Sequence, residues 1–328
     1  MAKKSAKPAP DLTAKALTQG QQHATRALKR RNEAIETRQA ALTARTQRLG
    51  VAALTLPAVA PLPPARLAAL GSPVSAGVLV AEGDSWFDYP LHDVLTMLED
   101  AHGYEVESVA HKGDQVESMA YREGQLDDFI RRIDKVLRRG LLPHAILLSG
   151  GGNDIAGSEF YMLLDDARSA APGLNAAVVE GVLNQRIRLA YVAILGAVTR
   201  ICEQRLQRTI PILVHGYDYP VPDGRGFLGG WGPLPGPWLA PGFAAKGYED
   251  LAVRKQLVKA LIDRFNDMLA GVAALPAFAG HVRYVDLRGT LPTGADYQAW
   301  WSNELHPTAT GFSRVADRFA AVLTPAVQ

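Results

Sequence analysis

The chain has 328 residues, 48% apolar and 21% charged, with a net charge of +2. This is enough apolar material for one large core or two modest ones, and it excludes a disordered or fibrous chain. The lone Cys202 excludes an intrachain disulfide, and no run of about 18 apolar residues predicts a spanning helix.

Charge is uneven along the chain. Residues 1–50 carry eleven Lys/Arg against three acids, +8, which leaves −6 on the remainder. Such a segment reads either as a solvated helical appendage or as a docking element for an anionic partner. The first residues, Met-Ala-Lys-Lys-Ser-Ala-Lys-Pro, are not followed by an apolar stretch. The expectation is therefore no Sec signal peptide and a cytoplasmic location.

Residues 11–49 are rich in Ala, Leu, Gln and Arg, lack proline and predict one long helix, so 1–50 reads as a basic helical arm. Leu28, Ile35, Leu42 and Leu49 recur every seven residues, but the companion positions Arg31, Arg38 and Arg45 are polar. A coiled coil needs two apolar positions per heptad. Weak self-association and a helix resting on its own domain both remain open, and the oligomeric state is not legible. Residues 51–73, broken by Pro57, Pro61, Pro63 and Pro64, read as an Ala/Pro-rich linker, and 74–328 as the main domain.

In that domain the β-prone run Val78–Glu82 is followed by four more, at 105–110, 145–149, 210–215 and 282–287. Helical patterns fall at 125–138, 179–208, 250–273 and 308–322. Alternation of this kind predicts a three-layer α/β/α sandwich around a parallel sheet of about five strands. Residues 217–246 break the pattern. They are dense in Gly and Pro, interspersed with Phe227, Trp231, Trp238 and Phe243. This segment follows the fourth strand, so it reads as an apolar wall over the site or as a loop packed on its own aromatics.

Ligands bind at the carboxyl edge of such sheets, and the chemistry-bearing residues cluster there. Gly83-Asp84-Ser85 ends the first strand and offers a hydroxyl nucleophile. A serine needs a base, and its tetrahedral oxyanion needs donors. Gly113 follows the second strand and can present an unobstructed N–H. Gly150-Gly151-Gly152-Asn153-Asp154 follows the third, with the Asn153 amide as a second donor. His306 follows the last strand and precedes a helix. Phe87 stands where a Gly-x-Ser-x-Gly elbow needs its second glycine, so that motif is absent.

In order and spacing, Gly83-Asp84-Ser85, Gly113, Gly152-Asn153-Asp154 and His306 resemble the blocks of the SGNH (GDSL-type) hydrolases. The resemblance spans residues 78–312 and implies a flavodoxin-like strand order for the parallel sheet. It implies that Ser85 attacks an acyl carbon and that His306 is the base. The N–H groups of Ser85 and Gly113, with the Asn153 amide, would hold the oxyanion. It implies no metal and no organic cofactor. Asp84 and Asp154 read as braces for their turns.

The chain departs from the family where an aspartate usually stands three residues before the histidine. Here that residue is Asn303, whose amide oxygen can still accept the imidazole N–H but supplies no charge to stabilise the imidazolium. Four replacements are open: a main-chain carbonyl near Asn303, Asp218 at the end of the fourth strand, Glu304, or a slow site. Trp86, Phe87, Tyr217, Trp231 and Trp238 are expected to line the substrate pocket, with Tyr89, Trp300 and Trp301 divided between pocket and packing. His111 and His144 read as structural, and His215 reads either as part of the pocket wall or as part of a buried hydrogen-bonded turn. The favoured function is a serine esterase acting on a small-molecule or polymeric ester. An acyltransferase and a catalytically weak scaffold using the basic arm are its rivals.

Overall fold

The computed structural model describes residues 11–49, 75–122, 124–230 and 234–323. The linker expected at 51–73 and the aromatic Trp231 lie outside them.

Five parallel strands form the main sheet: β1 (Gly77–Glu82), β2 (Tyr104–Ser108), β3 (Ala145–Leu148), β6 (Ile212–His215) and β7 (Val282–Val285), in the order β2-β1-β3-β6-β7. This is the flavodoxin-like order, with a switch point between β1 and β3. β3 and β6 are buried at every position, because helices cover both faces. A two-stranded antiparallel ribbon, β4 (Leu164–Asp165) and β5 (Gly173–Leu174), is separate from it. Strands of two residues leave no periodicity in a sequence, and none was expected there.

Among the described residues the α-helices, in chain order, are α1 (Leu12–Leu49), α2 (Val94–His102), α3 (Val116–Tyr121), α4 (Gln125–Arg138), α5 (Gly152–Ile155), α6 (Ala176–Glu180), α7 (Arg188–Leu206), α8 (Ala240–Ala245), α9 (Leu251–Ala273) and α10 (Ala309–Leu323). A π-helical stretch, Gly181–Ile187, joins α6 to α7. α2 and α10 pack together on one face of the sheet, and α3, α4, α7 and α9 cover the other. The expected three-layer sandwich is therefore present, with its long N-terminal helix.

That helix lies along α7 as an outer layer. The approach is close enough that a Cβ at Gly20 would stand 1.9 Å from the Ala193 carbonyl oxygen. A mid-helix glycine destabilises a helix by about 1 kcal/mol, and here it admits the neighbouring backbone. Leu28, on the heptad stripe, is buried. Fully buried Asp134 on α4 accepts from Arg31 of α1 at 2.6 Å and from Arg205 of α7 at 2.7 Å. His23 and Arg30 both reach Asp127. Part of the basic segment's charge is thus matched by acids of its own body.

Candidate active site

Ser85 stands on the turn that leaves β1. Asp84 fixes that turn: its Oδ1 accepts from the Trp86 N–H at 3.0 Å and the Ser149 hydroxyl at 2.9 Å, and its Oδ2 from the Tyr217 hydroxyl. Three strand ends, those of β1, β3 and β6, are tied together by one carboxylate. Gly151 has φ +95°, and a Cβ there would meet the Phe265 ring at 2.5 Å, so only glycine fits.

The imidazole comes from a tight loop closed by the Trp301–Pro307 bridge and the Ser302 N–H on the His306 carbonyl. His306 Nε2 lies 2.8 Å from Ser85 Oγ. Its Nδ1 lies 3.0 Å from Asn303 Oδ1. An amide oxygen only accepts, so Nδ1 carries the proton and Nε2 presents its lone pair to the serine. Asn303 is itself held. Its Oδ1 also accepts from the Leu305 and His306 N–H groups, and its Nδ2 donates to the Tyr89 hydroxyl at 2.9 Å. The Tyr89 ring stacks on His306 at 4.2 Å and 18°, and the Trp238 ring meets it edge-on at 5.4 Å. His306 is 5% exposed, and burial pushes its pKa down to about 3.

Two of the four open replacements for the usual aspartate do not reach the imidazole. Asp218 accepts from the Tyr219, Gly289 and Leu291 N–H groups. It anchors the turn after β7, whose backbone donors need an acceptor, and makes no bond to His306. Glu304 is fully buried and faces the other way. Its carboxylate accepts from the N–H groups of Gly224, Trp238, Leu239 and Ala240 at 2.6–3.0 Å. Burial raises its pKa, and those four bonds oppose the rise. The loop Arg225 completes the clasp: its guanidinium donates to the Trp301 and Ser302 carbonyls, and its own carbonyl accepts from the Glu304 N–H. The 217–246 segment is therefore strapped to the histidine loop. A main-chain carbonyl is not what meets Nδ1; the Asn303 side chain is.

The turn after β2 carries Gly113 at φ +89° and is tied to the serine turn through the His111 N–H on the Gly83 carbonyl. Asn153 Nδ2 donates to the Asp114 carbonyl at 2.9 Å, which uses one of its two amide hydrogens. Asp154 accepts from the Val116 N–H, and burial pushes its pKa up to about 6. The turns after β2 and β3 are thus pinned to each other beside the serine.

Of the expected pocket aromatics, Tyr217 lines the cavity at Ser85, and so does Trp86, whose indole donates to the Leu305 carbonyl. Phe87 does not. It is buried between His215 and Phe319 of α10, where the turn after Ser85 carries it into the core. His215 is fully buried with its Nδ1 near the Gly216 carbonyl, and His144 meets the Leu323 carbonyl. Tyr89, Glu304 and Arg225 acquire roles that no motif announces. A Tyr near the nucleophile and an acid beside the histidine were visible, but their partners lie more than sixty residues away.

Glu82, at the end of β1, is 2% exposed, and burial pushes its pKa up to about 8, with Asp114 and Asp128 adding to the rise. The folded chain holds this proton up to about pH 8, whereas the unfolded chain loses it near 4.5. Its contribution to stability is therefore full below pH 4.5 and is lost as pH climbs through 8. Glu82→Gln, which mimics the neutral acid, should gain stability over the wild type between pH 5 and pH 9, by at most about 5 kcal/mol. Denaturant titrations of both proteins at the two pH values measure this, and parallel pH dependence would refute it.

No family model matches the chain, and no curated protein matches it. Among solved structures it is similar to a catalytic mutant of an acetylxylan esterase from Geobacillus stearothermophilus, at 13% identity and a TM-score of 0.43, over 76% of this chain and 95% of that one. A putative SGNH hydrolase from Slackia heliotrinireducens matches at 12% and 0.40, over 76% and 100%. An extracellular lipase from Streptomyces rimosus matches at 16% and 0.42, over 75% and 99%. Similarity at this level is one of general shape. Among the described residues, no helix is long and apolar enough to cross a membrane.

Proposed function

We propose that this chain is a serine ester hydrolase of SGNH type. One observation carries the reading: an unbroken line of contacts runs from Ser85 Oγ through His306 to Asn303, at 2.8 and 3.0 Å. Ser85 attacks the acyl carbon while His306 Nε2 takes its proton. The backbone N–H groups of Ser85 and Gly113 and the second Asn153 amide hydrogen receive the oxyanion. His306 returns the proton to the leaving alkoxide, and water releases the acid by the same route in reverse. Asn303 sets the tautomer and Tyr89 sets Asn303. The π-face of Tyr89, 4.2 Å from the imidazole, favours the imidazolium that forms in the transition state. A decayed site gives no reason for this amide to be fixed on every side, which disfavours the scaffold reading.

Hydrolysis of p-nitrophenyl butyrate tests the proposal. Ser85→Ala should lower kcat by about 10³-fold or more. Equal rates in the two proteins would end it.

A further inference from the structure

A groove of about 930 Å³ opens between α1, α4 and the turns that leave β1 and β2. Neither Ser85 nor His306 belongs to its wall. The wall carries six cations: Arg31 of α1, Arg122 after α3, and Arg131, Arg132, Lys135 and Arg138 of α4. Two aspartates, Asp114 and Asp128, stand against them. Glu82 is the remaining acid of the wall. It is 2% exposed and, with a pKa of about 8, is mostly neutral at pH 7. The groove therefore carries a concentrated positive field.

The cations outnumber their acid partners. Arg31 pairs with Asp134, Arg131 with Asp128, and Arg132 with Glu107. Among the described residues, the side chains of Arg122, Lys135 and Arg138 have no hydrogen bond or ion pair. Arg131, Lys135 and Arg138 sit at i, i+4 and i+7, on one face of α4, over about 10 Å of helix. Like charges at this spacing repel one another and weaken the helix. An anion seated in the groove relieves that repulsion. Glu82 adds a group of another kind. Its Oε1 accepts from the Gly83 N–H, and the protonated carboxyl still has an O–H to donate.

We infer that this groove binds a small soluble ligand bearing two or more phosphate groups. Phosphate oxygens accept charge-assisted bonds from Arg and Lys, and several phosphates engage several cations at once. The recess has the size of a small-molecule site. A nucleic-acid duplex presents about one charge per 1.7 Å of axis and needs an unbroken cationic track, which Asp114 and Asp128 interrupt here. The inference does not rest on the ester-hydrolase reading. It also relocates the anionic partner expected of residues 1–50. His23, Arg30 and Arg31 of that segment are taken up by Asp127 and Asp134, and the unpaired cations of the groove belong to α4 and to Arg122.

Isothermal titration calorimetry of the full chain with sodium tripolyphosphate tests it, in about 50 mM salt, where screening is weak. One molecule should bind per chain, with a Kd of about 0.1 mM or tighter. Lys135→Ala and Arg138→Ala should each weaken binding about fivefold, and together at least tenfold. Both side chains are exposed, so the melting curves of these variants should match the wild type. Asp128→Asn, which frees Arg131, should tighten binding at least about twofold. Arg168→Ala removes a cation outside the groove, 90% exposed, and should leave binding unchanged.

A wild-type Kd weaker than about 0.1 mM would overturn the inference. Equal losses in Arg168→Ala and Lys135→Ala would do the same, because they would reduce the effect to net charge. A short DNA duplex that outbinds tripolyphosphate, and loses affinity on the same two α4 substitutions, would also overturn it and make the groove part of a nucleic-acid surface.

Discussion

Asn303→Asp should raise kcat about 10- to 100-fold at pH 8 and narrow the pH range of the proposed activity. In a trypsin-like triad the reverse change, Asp→Asn, costs about 10⁴ in kcat, through the wrong tautomer. Here the tautomer is already correct, because two backbone N–H groups and the Tyr89 hydroxyl turn the amide oxygen toward Nδ1. Only the missing charge is left to restore, so the gain should be smaller than that factor. A carboxylate at 303 would keep the Leu305 and His306 donors and gain one from the Tyr89 hydroxyl, which holds it ionised.

The pH dependence has a definite sign. Burial alone places His306 at a pKa of about 3, so the wild-type base stays unprotonated across mildly acidic pH. A carboxylate beside Nδ1 favours the imidazolium and raises that pKa. The variant should therefore lose activity between pH 7 and pH 5, where the wild type does not. Tyr89→Phe should lower kcat about tenfold with little change in KM, by freeing the Asn303 amide to rotate, and should matter less in the Asn303→Asp background. A kcat/KM profile from pH 4 to 9 measures all three variants. An unchanged acid limb in Asn303→Asp would mean that residue 303 does not face the base.

Glu304→Gln should cause the largest loss of stability. The carboxylate satisfies four backbone donors inside the fold. A glutamine offers one oxygen and turns an NH₂ group toward the remaining N–H groups. Each buried donor left unmet costs about 1–3 kcal/mol. For a domain of this size that corresponds to a fall in Tm of roughly 5–15 °C. Because the same carboxylate joins the 217–246 segment to the histidine loop, kcat/KM should drop at least tenfold as well. The acid limb of the pH profile should stay in place, since Glu304 does not touch His306. Differential scanning calorimetry together with that profile separates the clasp from a role as the triad acid, for which the limb would move.

The features written in local sequence were legible. Val78–Glu82 reads as a strand because it is apolar and β-prone, and Ser85 follows from its abrupt end in Gly83-Asp84. A parallel sheet covered on both faces follows from the alternation of strands and helices. Asn303 was visible as a departure whose amide oxygen can still accept from His306, but that neither nearby acid reaches the imidazole was not. Asp218 and Glu304 are acids near the right strand ends, and only the fold shows that each is consumed by backbone donors of another segment. Phe87 looked like a pocket wall because it neighbours Ser85, but the turn after the serine carries it into the core. Gly20 carries no sign of its role in the sequence, and only the fold brings the α7 backbone against it.

Covalent labelling bears most directly on the central claim. A fluorophosphonate reacts with a serine only when a base activates its hydroxyl. Incubated with the intact protein and mapped by peptide mass spectrometry, it should modify Ser85 in the wild type and leave His306→Ala unlabelled there. A wild-type protein that stays unlabelled, or carries the label on a different residue, would contradict the account.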